Sequence, residues 1–209
     1  MKMVARIKWE MIVSCDVPAR PRPLALGVLA GGRGSRLGGV DKAWIEIDGH
    51  PLVLHWKALA DRLGLPLRVS ANRDTHRFLD YGLTVWRDDA EDLGPVSGLH
   101  ALSRSVARGG GLLTVPVDAL GPVDTVLQAL LRHGPGHYAR DATGIQPLVA
   151  YWDASRLRAL AGEALRARRL AVRDLLSAAG MAPVVFADIE IENLNTPDDL
   201  ARTGARLPR

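Results

Sequence analysis

Short apolar runs alternate with stretches of helical spacing along most of this chain, and that alternation restricts the fold more than any other feature. Residues 24–30, 67–70, 83–86, 111–117 and 183–186 are apolar runs of strand length. Between them, residues 52–63, 96–106, 123–131, 154–165 and 172–179 carry apolar side chains at the spacing of a helix with one buried face. Residues 136–151 read as a hairpin, and Pro197 opens a last helix over 197–202, at a position where no amide donor is needed. Strands separated by helices in this way imply a single Rossmann-like α/β domain, its mostly parallel sheet covered by helices on both faces. The domain is expected to run from residue 24 to 209. Residues 1–23 are expected to form a poorly ordered N-terminal extension, since Pro18-Ala19-Arg20-Pro21-Arg22-Pro23 suits neither a helix nor a central strand.

Composition narrows the function classes. With 47% hydrophobic and 24% charged residues, the chain has the balance of a folded, soluble protein. The net charge of +4 suits an anionic ligand such as a nucleotide. Aromatic residues make up only 5%, too few for base-stacking platforms, so nucleic acid is not expected as a partner. The single cysteine, Cys15, permits neither an internal disulfide nor a cysteine-built zinc site, and a reducing, cytoplasmic setting is the expectation. Ile12-Val13-Ser14-Cys15 superficially matches a lipoprotein cleavage site, but Arg6, Lys8 and Glu10 break the apolar stretch such a signal needs. No run approaches the ~20 apolar residues of a membrane helix.

The first strand leads directly into a glycine-rich segment, residues 29–42, with glycines at 31, 32, 34, 38 and 39. Backbone amides in such a turn form an anion nest, to which Arg36 and Lys42 add charge. A flexible surface loop would have the same composition. Its place after the first buried strand favours a binding loop, because open α/β sheets put their ligand crevice there. Two common phosphate motifs fail on spacing. Lys42 lies between Asp41 and Ala43, not in the Gly-Lys-Ser/Thr of a P-loop. The dinucleotide fingerprint fails because Gly34 is followed by its next glycine one place late, at Gly38, and the second strand ends in Ser70-Ala71-Asn72 without an acid for a ribose.

The segment instead resembles the signature of nucleotidyltransferases that activate sugar phosphates and the molybdenum cofactor. The matching residues are Leu29-Ala30-Gly31-Gly32, then Arg36-Leu37-Gly38, then Lys42. Further matches follow in order: Ser70-Ala71-Asn72-Arg73, Asp88, Gly94-Pro95-Val96-Ser97-Gly98, Pro116-Val117-Asp118, Gln146-Pro147-Leu148 and Asn193-Leu194-Asn195-Thr196-Pro197-Asp198. Together they span residues 24–201 and are similar to the MobA family of molybdenum cofactor guanylyltransferases.

The resemblance implies a nucleotidyltransferase fold and a reaction in which GTP and molybdenum-carrying molybdopterin give the guanine dinucleotide cofactor and pyrophosphate. It implies that Leu29, Ala30 and Gly31 contact the nucleotide, Lys42 its phosphates, and Asn72 and Asp88 the nucleoside. Asp118 would bind Mg2+, with Asn195 as a second ligand. Proteins that deliver molybdopterin or take up the finished cofactor would be its partners. Attack of one phosphate on another needs charge neutralisation and alignment more than a base, since a phosphomonoester is largely ionised at neutral pH. Lys42, Arg36 and a magnesium ion would supply that charge, and the lack of a Ser-His-Asp or Cys-His arrangement accords with it.

Several of these residues also have plain structural readings. Asp118 alone reads as a turn or cap residue, and Asn195 to Asp198 as a helix start capped by Thr196. Asn72 reads as a strand end and Gln146 as a turn residue. The arginines at 156, 158, 166, 168, 169 and 173 read first as a solvated helical face, and second as ligands of the pterin phosphate. Two positions depart from the family pattern: Ser70 replaces an asparagine, and Leu120 stands where a proline is common. The rival activities are CTP-dependent transfer to the same acceptor, against which Gly31 counts because cytidylyl relatives usually read Leu-Ala-Ala-Gly, transfer to another small phosphorylated molecule, and a non-catalytic nucleotide-binding or cofactor-chaperone role.

Overall fold

The computed structural model describes residues 23–31, 37–88 and 93–208. The expected N-terminal extension, apart from Pro23, therefore lies outside the described residues, as do Gly32, Gly34 and Arg36 of the glycine segment.

The chain runs β1 (Leu24–Leu29), a 3-10 turn at Lys42–Trp44, the ribbon β2 (Glu46–Ile47) and β3 (His50–Pro51), α1 (Leu52–Leu63), β4 (Leu67–Ser70), α2 (Thr75–Asp80), β5 (Val85–Trp86), α3 (Pro95–Arg104) and β6 (Gly111–Pro116). It continues through β7 (Ala119–Leu120), α4 (Val123–His133), β8 (His137–Asp141), β9 (Gly144–Asp153), α5 (Ala154–Arg166), α6 (Val172–Ala178), β10 (Ala182–Val185), β11 (Glu192–Asn193) and α7 (Pro197–Thr203).

The main sheet has seven strands in the order β10-β8-β9-β6-β1-β4-β5. All share one direction except β9, which is antiparallel to both of its neighbours. The expected hairpin is β8–β9, and the mostly parallel sheet covered on both faces is the architecture observed. Alternate residues of β1 explain why it reads as one apolar run. Leu24, Leu26 and Val28 enter a core with α1 and α4, while Ala25 and Leu29 enter a second core with α3, α5 and α6. Among the described residues no helix is long and apolar enough to cross a membrane.

Topology decides where a ligand can enter. From β1 the chain crosses to β4 on one side of it, then to β5, and returns by α3 to β6 on the other side. The connections thus diverge between β1 and β6, and the crevice at the carboxyl ends of these strands is the switch point of the sheet.

Candidate active site

β1 ends at this crevice with its backbone held from both sides. The Ala30 amide donates to the Ser70 carbonyl of β4 at 2.8 Å, and the Val117 amide donates to the Leu29 carbonyl at 3.0 Å. Gly31 follows and is exposed, and a Cβ added there would stand in open space. Of the glycines described in this segment, Gly38 and Gly39 have left-handed backbone, with φ of 71° and 82°; Gly31 does not.

The next three positions come from distant parts of the chain. Lys42 opens the 3-10 turn, which Asp41 caps by accepting the Ala43 amide at 2.9 Å. The turn is anchored by Trp44, fully buried against Phe78 at 4.7 Å between ring centroids, with the Arg77 guanidinium 4.2 Å over the indole. Asp118 lies two residues beyond β6, where Trp56 of α1 donates its indole N–H to the Val117 carbonyl at 2.8 Å. Asn195 is carried in by the C-terminal segment. There β11 pairs with β7, and the Leu194 amide donates to the Asp118 carbonyl at 3.2 Å. Thr196 and Asp199 close a capping box at the start of α7, and Asp199 also accepts the Asn195 amide at 3.0 Å. The helix-start reading of this stretch is therefore correct, and it leaves the Asn195 side chain available to the crevice.

Those side chains converge. Lys42 Nζ donates to Asp118 Oδ2 at 2.5 Å and to Asn195 Oδ1 at 2.7 Å. Asp118 is 9% exposed, so its charge is only weakly screened by water. Among the described residues no group of three or more His, Cys, Asp and Glu side chains gathers as a metal site. The donors present are one carboxylate and one amide oxygen, both directed at a single cationic group.

A second cluster lies at the ends of β4 and β5. Asn72 donates to Asp88 Oδ2 at 3.1 Å and accepts the Asp88 amide at 3.0 Å, so the two expected nucleoside residues hold each other in a reciprocal pair. Ser70 Oγ is buried and donates to Asp88 Oδ1 at 2.9 Å. The departure at Ser70 thus places a hydroxyl that braces Asp88. Gly98, in the first turns of α3, packs on this hydroxyl: a Cβ there would lie 2.8 Å from Ser70 Oγ.

Gln146 has the structural role. It donates to Asp141 Oδ2 at 2.9 Å, and the buried Asp141 carboxylate also accepts from the Thr143 amide and hydroxyl, the Gly144 amide and the Ile191 amide. Burial pushes the Asp141 carboxyl up, but these donors outweigh it and hold it below the usual carboxylate range. Arg156 lies on the exposed face of α5 and reaches the Ala178 carbonyl, Arg169 pairs with Glu163 at 2.7 Å from the exposed turn after α5, and Arg158 is instead half-buried and reaches the Ser103 carbonyl.

Sequence reasoning passed over two supports. Asp41 was legible as a cap residue only if a turn was expected at Lys42. Burial raises its carboxyl to about 6, against the opposing pull of the Ala43 amide, with Asp74 adding to the rise and Arg73 and Arg77 lowering it. Asp141 had a turn signal in Asp141-Ala142-Thr143-Gly144.

The fold is that of the nucleotidyltransferases. The CTP:phosphocholine cytidylyltransferase of Streptococcus pneumoniae superposes with a TM-score of 0.65 at 13% identity, covering 86% of this chain and 96% of that one. The molybdopterin-guanine dinucleotide biosynthesis protein A of Archaeoglobus fulgidus gives 0.61 at 20%, with coverage of 86% and 96%. In sequence, residues 26–182 match the MobA-like NTP transferase domain. A molybdenum cofactor guanylyltransferase of Cereibacter sphaeroides is 37% identical over 188 residues, 86% of this chain and 95% of the relative. That of Pseudomonas fluorescens (strain SBW25) is 34% identical over 190 residues, 87% and 94%. The chain belongs to the MobA-like NTP transferase family and is a nucleotidyltransferase.

Proposed function

We propose that this protein transfers GMP from GTP to the terminal phosphate of molybdenum-carrying molybdopterin, forming the guanine dinucleotide cofactor and releasing pyrophosphate. The carrying observation is the convergence of Lys42, Asp118 and Asn195 at the carboxyl ends of β1 and β6, beside the glycine segment. Relatives bearing this activity, 34–37% identical over nearly their whole length, support the choice of base and acceptor.

In this reading an oxygen of the acceptor phosphate attacks the α-phosphorus of GTP, and the bond from that phosphorus to the bridging α–β oxygen breaks. No proton need be removed from the nucleophile, whose second ionisation lies near ~6. The backbone of Leu29, Ala30 and Gly31 lies against the nucleotide, while Asn72 and Asp88, locked to each other, address the nucleoside. Lys42 neutralises phosphate charge, and Arg36 is assigned the same work. Asp118 and Asn195 would hold Mg2+; one carboxylate with an amide oxygen, completed by phosphate oxygens and water, is a set this ion accepts. Bound there, the ion supplies charge neutralisation at the α-phosphate and the departing pyrophosphate.

The test offers each of the four nucleoside triphosphates with Mg2+ and molybdopterin and measures pyrophosphate. Release is expected with GTP, and only when molybdopterin is present. Preference for CTP, or GTP binding without turnover, would overturn the reading in favour of a cytidylyltransferase or a cofactor chaperone. Asp118→Ala is expected to lower kcat by at least ~100-fold with the circular dichroism spectrum unchanged.

A further inference from the structure

Lys42 occupies the place where the proposed metal ligands point. Its ammonium lies 2.5 Å from Asp118 Oδ2 and 2.7 Å from Asn195 Oδ1, and so already satisfies both oxygens with positive charge. A divalent ion cannot bind the same pair while the ammonium stays, because two cations would then stand at the same two oxygens and repel each other at contact distance.

What can give way is narrowly defined. The Lys42 backbone is fixed by the Asp41 cap, by the Ile45 amide donating to the Lys42 carbonyl at 3.2 Å, and by Trp44 in the core. Asp118 is fixed through its own carbonyl and the β7–β11 ladder, and Asn195 through the α7 cap. The Lys42 side chain, with four rotatable bonds, is the mobile member. The polyanion that would draw it away is a triphosphate on the glycine segment from which the same lysine springs.

We propose that Lys42 is a resident cation that keeps the metal position closed in the nucleotide-free protein, so that the divalent ion enters with the nucleotide or after it. This rests on the reading of Asp118 and Asn195 as metal ligands. If the ammonium holds the pair about nine-tenths of the time, metal affinity is lowered about tenfold, since only the open fraction binds.

The experiment titrates Mn2+ into the full chain and follows free Mn2+ by electron paramagnetic resonance, without nucleotide and with a non-hydrolysable GTP analogue. Lys42→Met, which keeps length and removes charge, is expected to bind Mn2+ without nucleotide at least about tenfold more tightly than the native protein. Adding Asp118→Asn to it is expected to abolish that gain. The native protein is expected to gain a tight site only with the analogue. Equal, weak binding by native and Lys42→Met, while the native protein with analogue binds Mn2+ through Asp118, would sink the resident-cation proposal and leave the metal assignment standing. If Asp118→Asn leaves Mn2+ binding with analogue unchanged, the metal assignment itself falls. A measurement on the native chain guards against a misfolded variant. The Lys42 ammonium NMR signal is expected to be unmoved by Mg2+ alone and shifted by the GTP analogue; a shift with Mg2+ alone overturns the proposal.

Discussion

Gly98 and Asp41 each bear on stability through a single, identifiable contact. At Gly98 the space for a side chain is already taken, with Ser70 Oγ 2.8 Å and Leu29 Cδ2 3.1 Å from where a Cβ would stand. Gly98→Ala must push the Ser70 hydroxyl off Asp88, and a loss of about 1–3 kcal/mol by urea denaturation is expected. Because one clash underlies it, Gly98→Ala with Ser70→Ala is expected to lose less than the two single losses added together; strict additivity would mean the contact is relieved elsewhere. Asp41 bears on stability through pH. Its carboxyl ionises at about 6 in the folded protein, raised by burial from the usual 3.8. The folded form therefore keeps a proton that the unfolded chain has lost between those values, and stability falls as pH rises through that window. Asp41→Asn keeps a good cap and removes the ionisation, so it is expected to be more stable than the native protein to urea at pH 7.5, by up to about 3 kcal/mol. The gap is expected to close by pH 3.5. No gap at pH 7.5, or one that persists at pH 3.5, would show that Asp41 is not the group responsible.

At the level of elements, long periodic segments were legible, as was the short strand Val85–Trp86 within the run 83–86, but most two-residue pieces were not. The helix at 52–63 and the strand at 67–70 lie where the apolar spacing puts them, because each buries a full face. β7, β11 and the turn at Lys42–Trp44 carry no periodicity to read, since each exists only because a distant partner meets it. α2 was missed for a related reason: of its six residues only Phe78 is buried. The site shows the same division. Lys42, Asp118 and Asn195 could be picked out one by one by motif, but a contact spanning 153 positions, as between Lys42 and Asn195, is invisible to spacing. Their meeting depends on the cap of α7, which gives a prediction for that element. Thr196→Ala removes the hydroxyl that accepts the Asp199 amide and is expected to cost about 1 kcal/mol. As Asp199 also holds the Asn195 backbone, the variant is expected to need more Mg2+ for half-maximal turnover, and Thr196→Ser to restore it. An unchanged Mg2+ requirement would separate the cap from the site.

Across the whole molecule, the stretch from Ile189 to Arg206 ties together parts that the sheet leaves apart. Ile189 accepts the Ala142 amide, Ile191 donates to Asp141, β11 pairs with β7, and Arg206 exchanges both backbone hydrogen bonds with Glu46. Arg202 of α7 adds an ion pair to Glu192. This late segment thus touches the turn region after Lys42, the crevice after β6 and the β8–β9 hairpin in one pass. A chain emerging from the ribosome can pair β1, β4, β5 and β6, and form the Asn72–Asp88 pair, well before residue 195 is made. In such a nascent chain Lys42 and Asp118 can already meet while Asn195 is missing, so under the proposed reading the order of synthesis holds back the chemistry until the segment carrying Asn195 has docked.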